Sequence, residues 1–274
     1  MCKHTKYVCQ AHIAANDLVA PDTYALILDV SVGTKFAEAI QSGQFIELNL
    51  RQPDLVLPRP ISIFATRRDN NCIQLEFRYQ VVGEGTQRLS TMPVGAKLEI
   101  FGPLGNRWPI DAGTQRALVV GGGIGSAPLA MLVKELAAKG CEVTMVQGAR
   151  SAELLADADF FEVCCDSHCT ATDDGSRGHT GLITEPLAEI LASESFDVAY
   201  ICGPEPMQEA CARLCIAAGV PTWVSLERLM ACGVGACLTC VVPTISGLQR
   251  VCSDGPIFNA REVDWDEARS SRVH

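Results

Sequence analysis

A chain of 274 residues, 48% hydrophobic and 20% charged, has the make-up of a globular protein with a large buried core, and its length suits two domains and a small third one better than a single one. Its formal charge of -10 argues against a general nucleic-acid or anionic-membrane surface, because polyanions are not drawn to an acidic protein. No run of about 18 apolar residues offers a membrane span, and the N-terminus lacks the long apolar stretch of a secretory signal, so a cytoplasmic protein is expected.

From about residue 7 to residue 100 the apolar residues fall in short runs, YALILDV, QFIELNL, RPISIF, CIQLEFRYQVV and AKLEIFG, several of them alternating and parted by Gly, Pro, Asn or Asp. Six or so antiparallel strands, in a sheet or a barrel, are predicted. Within them, Arg59 and Ser62 interrupt the otherwise apolar LPRPISIF, and FRYQVVGEGTQRL carries Arg78, Tyr79, Gln80, Gly85 and Thr86. An arginine in a strand is ordinarily a solvated face. Followed by Gly-x-Gly-Thr and a helix, it also suits the phosphates and ring of a flavin, with glycines that let the backbone come close.

Gly, Pro and Asn cluster in GPLGNRWPIDAGTQR, which sets a domain boundary near residue 110. RALVVGGGIGSAPLAMLVKELAAKGCEVTMVQGAR then reads as a buried strand, a glycine loop, a helix with Leu129, Leu132, Val133 and Leu136 on one face and Gly140 as its stop, and a second strand. The alternation continues through helices over SAELLADADFFEV, ITEPLAEILASES and MQEACARLCIAAG, a loop TATDDGSRGHTG and a strand DVAYICGP. A doubly wound, parallel α/β sheet is predicted. The glycine loop departs from G-x-G-x-x-G: from Gly123 it runs GIGSAP, with Gly125 and Pro128 at the later places. Between a buried strand and an amphipathic helix such a loop brings backbone amides to a pyrophosphate, whereas alone it is equally a tight turn. Cys202 ends a strand where open parallel sheets bind ligands and is a candidate neighbour of a nicotinamide ring, although a small buried residue there would look the same. Ser176 and Arg177 stand where a 2′-phosphate could be gripped, or simply on an exposed loop.

Past VPTWVSLERLM the texture changes again. Cys232, Cys237, Cys240 and Cys252 are spaced C-x4-C-x2-C-x11-C, the order of plant-type two-iron, two-sulfur clusters. Gly233 and Gly235 let the loop turn so that amides face the sulfurs. A four-cysteine zinc site and plain buried thiols are the alternatives, but zinc sites more often pair two short C-x2-C hooks. The chain has fourteen cysteines, yet it is long and apolar enough to need no disulfide staples, so metal binding outranks disulfides for this group. Nine others, Cys2 among them, read as small buried or surface side chains. No Ser/His/Asp triad or carboxylate pair can be read, and His4, His12, His168, His179 and His274 have no metal-ligand spacing. The tail REVDWDEARSSRVH reads as a solvated end.

Together RPIS, GEGT, GPLGN, GGGIGSAP and CGPEPM resemble the ferredoxin-NADP reductase superfamily. LERLMACGVGACLTCVV and RVCSDGPIFNAREVDW resemble one branch of it, the electron-transfer subunits of the two-subunit, NAD-linked (class 1B) dihydroorotate dehydrogenases. The resemblance covers nearly the whole chain and implies a flavin-binding β-barrel domain over 1–110, a nicotinamide-binding α/β domain over 111–222 and a small 2Fe-2S lobe over 223–274. It implies that Arg59, Pro60, Ile61, Ser62, Arg78, Tyr79 and Gln80 hold FAD, with Gly85 and Thr86 at its pyrophosphate. Gln80 departs from the basic residue expected there. Gly123, Gly125 and Cys202 would frame NAD, and Cys232, Cys237, Cys240 and Cys252 would ligate the cluster. An FMN-containing catalytic subunit would oxidise dihydroorotate to orotate in pyrimidine biosynthesis, and electrons would pass singly through the 2Fe-2S cluster to FAD and on to NAD+ as hydride. The implied assembly is a heterotetramer of two of each subunit, docked around Glu227 to Gly235 and near Gly255 to Phe258. No acid–base catalyst is required of such a subunit. Related subunits that serve ferredoxin or a sulfur-linked partner are the nearest alternative, but they tend to carry an acidic residue where this chain has Cys232. A zinc-stapled, non-catalytic binding module would explain the four cysteines and leave the flavin and nucleotide motifs without a purpose.

Overall fold

Burial alternates with a period of two along the N-terminal strands, which closes them into a barrel around one apolar interior. In the computed structural model, which describes residues 6–31, 34–69 and 72–270, these are β1 (Tyr7–Ala20), β2 (Thr23–Val30), β3 (Phe45–Asn49), β4 (Arg59–Asp69), β5 (Cys72–Gln80) and β6 (Lys97–Leu104), in the order β1-β2-β5-β4-β3-β6. Cys2, His4 and His274 lie outside the described residues. Ile73, Leu75, Phe77 and Tyr79 of β5 point inward with Leu26, Leu28, Ile46 and Leu48, as strand alternation requires. Two short helices interrupt the strands, α1 (Thr34–Ala39) and α2 (Glu84–Ser90). The long β1 pairs with both β2 and β6 and so closes the cylinder, although its sequence shows no apolar run.

The second half alternates strand and helix: β7 (Arg116–Gly122), a 3-10 turn over Gly123–Leu129, α3 (Ala130–Ala138), β8 (Glu142–Ala149), α4 (Ala158–Cys164), β9 (Ser167–Thr172), β10 (His179–Thr180), α5 (Thr184–Ser193), β11 (Val198–Cys202), α6 (Glu205–Ala217) and β12 (Thr222–Ser225). The sheet order is β10-β9-β8-β7-β11-β12-β15, parallel except for β15 (Ile257–Asn259), which runs antiparallel to β12. Strand order reverses between β7 and β11, and open α/β sheets bind ligands at such a switch point. The helix predicted over SAELLADADFFEV is broken. A 3-10 turn at Ala152–Leu154 and α4 are separated by Asp157 at φ +52, a left-handed value that ends one segment and starts the next.

Between β12 and β15 lies a hairpin of β13 (Val241–Thr244) and β14 (Gly247–Arg250), and α7 (Trp265–Ser270) closes the described chain. Val242, Val251 and Trp265 of this segment share one core with Leu118 and Val120 of the sheet and Phe45 and Leu104 of the barrel. Asn106 pins the segment to the barrel side: its Nδ2 donates to the carbonyls of Asp254 and Ile257 at 3.1 and 2.8 Å, and its Oδ1 accepts from the Ile257 amide at 2.9 Å. The divide expected after residue 222 falls inside β12. No helix among the described residues is long and apolar enough to cross a membrane.

Candidate functional site

The β13–β14 hairpin places Cys240 just before one strand and Cys252 just after the other, so chain neighbours far apart in sequence meet. The Cys252 amide donates to Cys240 Sγ at 3.4 Å, and the amides of Ala236 and Cys237 donate to Cys232 Sγ at 3.3 and 3.4 Å. Gly233 at φ +60 and Gly235 at φ +78 turn the loop, and each is pressed from behind: an added Cβ would lie 2.8 Å from the Glu47 carboxyl and 2.7 Å from Ser253 Oγ. Leu238 takes the same left-handed backbone at φ +59 without glycine's freedom, a local strain held between two of the cysteines. Hydrogen bonds from Thr239, and then from Cys232, draw the exposed Cys237 thiol down to about 6, the direction that suits a thiolate ligand. Among the described residues no three metal-ligating side chains converge as on one ion. The thiols instead form two contacting pairs, Cys232 with Cys237 and Cys240 with Cys252. Two pairs with backbone amides on the sulfurs suit a two-iron cluster better than a single tetrahedral zinc. Beneath the loop, burial and then the nearby Cys237 raise the Glu47 carboxyl to about 7, with Lys6 opposing.

Most of the flavin candidates line one cleft of 350 Å³: Pro60, Ile61, Ser62, Arg78, Tyr79, Gln80 and Thr86, facing Ile124 and Pro128 of the glycine loop and Leu226 to Arg228 and Met230 of the cysteine segment. Arg59 and Gly85 lie beside it and against each other, since a Cβ on Gly85 would run into the Arg59 guanidinium. Arg78 is committed elsewhere. Its Nε donates to both Asp157 oxygens at 2.9 Å, its Nη1 to Glu76 at 2.9 Å, and its plane stacks 4.0 Å over Phe64. Tyr79 stacks on Tyr24 with ring centres 5.4 Å apart and donates to Asn16 Oδ1 at 2.9 Å, and burial holds its phenol above the ordinary range. The Thr86 hydroxyl accepts from the amides of Val82 and Gly83 at 3.0 and 3.2 Å, fixing the turn before α2.

A larger cavity of 680 Å³ opens over the switch point, lined by Gly122 to Gly125, Gly148 to Arg150, Asp173, Gly203 to Gln208 and, from the barrel, Ala20, Thr23 and Gln80. Gly123 has φ +53 and open space before it, while a Cβ on Gly125 would lie 2.5 Å from the Gly203 Cα. Gly125 therefore serves the close packing of two loops, and Gly123 the shape of the cavity wall. Cys202 does not line the cavity. It is fully buried behind Gly203, where burial and then the charge of Glu227 push its thiol far up. Glu227 lines both cavities; the residue is exposed, but protein crowded around its carboxyl raises it. Arg177 and Ser176 do not line the cavity either: Arg177 pairs with Glu162 at 3.1 Å, and Ser176 Oγ accepts from the Ala152 amide at 2.7 Å.

Sequence patterns gave no sign of Gln147, Asp157, Asp173 or Arg228, because each matters through partners distant in the chain. Gln147 is fully buried, and its Nε2 donates to Ser126 Oγ at 3.1 Å and to the Ala156 carbonyl at 2.7 Å, while His168 Nε2 lies 3.2 Å from its Oε1. One amide thus ties the glycine loop to the opposite cavity wall. Around the cysteine loop Leu229, Val234 and Leu238 are exposed by 71%, 45% and 60%. The other stretch expected to dock, Gly255 to Phe258, is buried instead, because Pro256 packs on Gly105 and β15 completes the sheet.

Residues 10–108 match the family model of an oxidoreductase FAD-binding domain, residues 119–213 that of an oxidoreductase NAD-binding domain, and residues 227–264 that of the iron-sulfur cluster binding domain of dihydroorotate dehydrogenase B. The chain is 37% identical over 265 residues to the dihydroorotate dehydrogenase B (NAD(+)), electron transfer subunit of Desulforamulus reducens, covering 94% of this chain and 99% of that one. It is 38% identical over 257 residues to the subunit of the same name from Bacillus caldolyticus, covering 92% and 96%. Among solved structures it is similar to a chain of the NADH-dependent reduced ferredoxin-NADP oxidoreductase, with TM-score 0.85, 29% identity, and 95% of this chain and 91% of that chain covered. An Amycolatopsis cytochrome P450 reductase, 23% identical with TM-score 0.65 over 80% of this chain and 68% of its own, shares the fold.

Proposed function

This chain belongs to the family of electron-transfer subunits of NAD+-linked dihydroorotate dehydrogenase B, and we propose on that premise that it carries electrons from dihydroorotate oxidation in a catalytic partner subunit to NAD+. The observation that carries this reading is adjacency. Gln80, Ile124, Leu226 and Glu227 line both cavities, so a flavin ring in one and a nicotinamide ring in the other would share a wall, and Met230 of the cleft stands two residues before Cys232 in the chain. Hydride transfer needs contact between reacting rings, and single-electron transfer needs a cluster close by; one seam offers both. When bound, FAD and the 2Fe-2S cluster supply the exchange between single electrons and a hydride pair.

The chain's own residues bind and orient. Arg59 and Gly85 would hold FAD phosphate, a guanidinium beside bare backbone. Ser62, Tyr79 and Gln80 would hold its ring, with Pro60, Ile61 and Thr86 shaping the cleft. Arg78 contributes its stacked face, while its nitrogens tie the barrel to the nucleotide domain through Asp157. Gly123 and Gly125 would admit the dinucleotide, and Cys202 supports the wall from behind. Cys232, Cys237, Cys240 and Cys252 would ligate the cluster. Asp173 on the cavity wall supports NAD over NADP, since a carboxylate accepts from a ribose hydroxyl and repels a 2′-phosphate.

An electron-transfer subunit works with a catalytic subunit, and the exposed Leu229, Val234 and Leu238 around Cys237 offer that partner an apolar docking rim. A heterotetramer with an FMN-containing subunit, in the cytoplasm, is the assembly this reading entails. Mixing the chain anaerobically with a candidate FMN subunit tests it. Dihydroorotate should bleach the FAD absorbance of this chain only when both subunits are present, and FAD that stays oxidised in the mixture would overturn the proposal.

A further inference from the structure

Alternate side chains of a strand share a face, and along β5 Glu76, Arg78 and Gln80 occupy the face turned away from the barrel interior. Arg78 reaches from it to Asp157 of the nucleotide domain, 79 residues on, in an ion pair whose side chains are only 9% and 16% exposed. Asp157 holds a left-handed backbone at φ +52 and starts α4 from there. Such a backbone is unfavourable for a residue with a side chain unless its surroundings fix it. Immediately before it, Leu154 and Ala156 line the nucleotide cavity, and the Ala156 carbonyl accepts from Gln147 Nε2 at 2.7 Å. Three residues after it, Phe160 meets Phe64 of the barrel with ring centres 5.4 Å apart, and Phe64 also carries the Arg78 guanidinium at 4.0 Å. Residues 154–157 are therefore fastened to the sheet through Gln147 and to the barrel through Arg78. A buried ion pair adds little net stability, because desolvation offsets its attraction, but it fixes orientation. Both Asp157 oxygens accept from the rigid Arg78 fork, whose other side donates to Glu76 at 2.9 Å.

We propose that Asp157 is a positioning residue for hydride transfer: through Arg78 it sets the barrel's cleft against the nucleotide cavity so that the two rings meet at reacting distance. The proposal rests on the reading of the two cavities as flavin and NAD sites. Gln80, two residues from Arg78 on the same face, lines both of them, so a shift of β5 against residues 154–157 would part the rings. The step moves one hydrogen with two electrons from reduced FAD to NAD+. An N–H bond of the flavin breaks, a C–H bond forms on the nicotinamide ring, and the flavin's other added hydrogen leaves as a proton. Misplacing the reacting atoms by about 1 Å costs on the order of 100-fold in rate.

The test compares the wild-type chain with Asp157→Asn, both carrying FAD and the cluster, in anaerobic rapid mixing with NADH. Asparagine tolerates the left-handed backbone and keeps an oxygen for Arg78 while removing the charge. If NADH does not bleach the wild-type flavin, the reading of the two cavities falls and takes the proposal with it. In the variant, bleaching at saturating NADH should be about 10- to 100-fold slower at unchanged flavin content. ADP-ribose, which fills a nucleotide cavity without a nicotinamide ring, should bind both proteins with the same Kd by calorimetry. Bleaching at the wild-type rate overturns the proposal and leaves both sites standing. An ADP-ribose Kd raised as much as the rate falls overturns it too, because Asp157 would then be part of the nucleotide site itself. Should the variant not fold, a crystal structure of the wild-type chain with FAD and NAD+ decides. Rings in contact with the Arg78–Asp157 pair intact support the assignment, and rings in contact with the pair broken overturn it.

Discussion

Glu47 shows how a single residue can conflict with its surroundings. It sits in the barrel wall, 3% exposed, under the Gly233 turn, and its carboxyl is raised to about 7 by burial and by Cys237. A raised folded-state value means that the folded protein favours the protonated form. The cost of ionising Glu47 is therefore absent below about pH 4, grows as pH climbs from the unfolded value toward 7, and levels off above it. Glu47→Gln should leave the melting temperature unchanged at acid pH and raise stability by on the order of 2 kcal/mol at pH 8, measured by thermal unfolding across pH. Equal effects at both pH values would contradict this. Gly125 makes the complementary case, a residue whose absence of side chain matters. Gly125→Ala places a methyl 2.5 Å from the Gly203 Cα and should raise KM for NADH by at least about tenfold with FAD retained, whereas Gly123→Ala meets open space and bears only the roughly 1–2 kcal/mol of a left-handed residue. Steady-state dye reduction compares the two.

At the scale of elements, β8 and the loops around it depend on one amide. Gln147→Leu would leave Ser126, His168 and the Ala156 carbonyl without their partner, at a cost of about 1–3 kcal/mol, and should free the glycine loop from the opposite wall. The expected outcome is a raised KM for NADH with near-normal flavin content; an unchanged KM would show that Ser126 needs no such brace. This bond also marks the limit of what sequence patterns reveal. The barrel strands, the glycine loop and the cysteine spacing are legible because alternation, left-handed turns and ligand spacing are local constraints. β9 escapes notice because SHCTAT is polar and only half buried, and β12 because it is four residues long and runs into the cysteine segment. The break before α4 escapes too, since Asp157 takes its left-handed backbone while bound to Arg78, a residue 79 positions away. Arg78 itself is legible as a candidate, but its commitment to Asp157 is a tertiary fact.

For the whole molecule, the cleft and the cavity at the sheet's switch point share residues, and the exposed thiol loop with its apolar rim follows the cleft's Met230 in the chain. The flavin candidates lie mostly on the barrel and the cysteines on the segment around the β13–β14 hairpin, so flavin binding and cluster binding should be separable. Cys237→Ala should remove the cluster, seen as loss of its absorbance and bound iron, yet leave FAD bound and NADH-to-dye reduction measurable. Loss of FAD along with the cluster would instead make the cysteine segment part of the flavin site's framework. Whether this chain joins dihydroorotate oxidation to NAD+ is read from the rate of dihydroorotate-dependent NAD+ reduction by the FMN subunit with and without it. NADH should form only with the chain present and should not form with Cys237→Ala; equal rates with and without the chain would rule out this role.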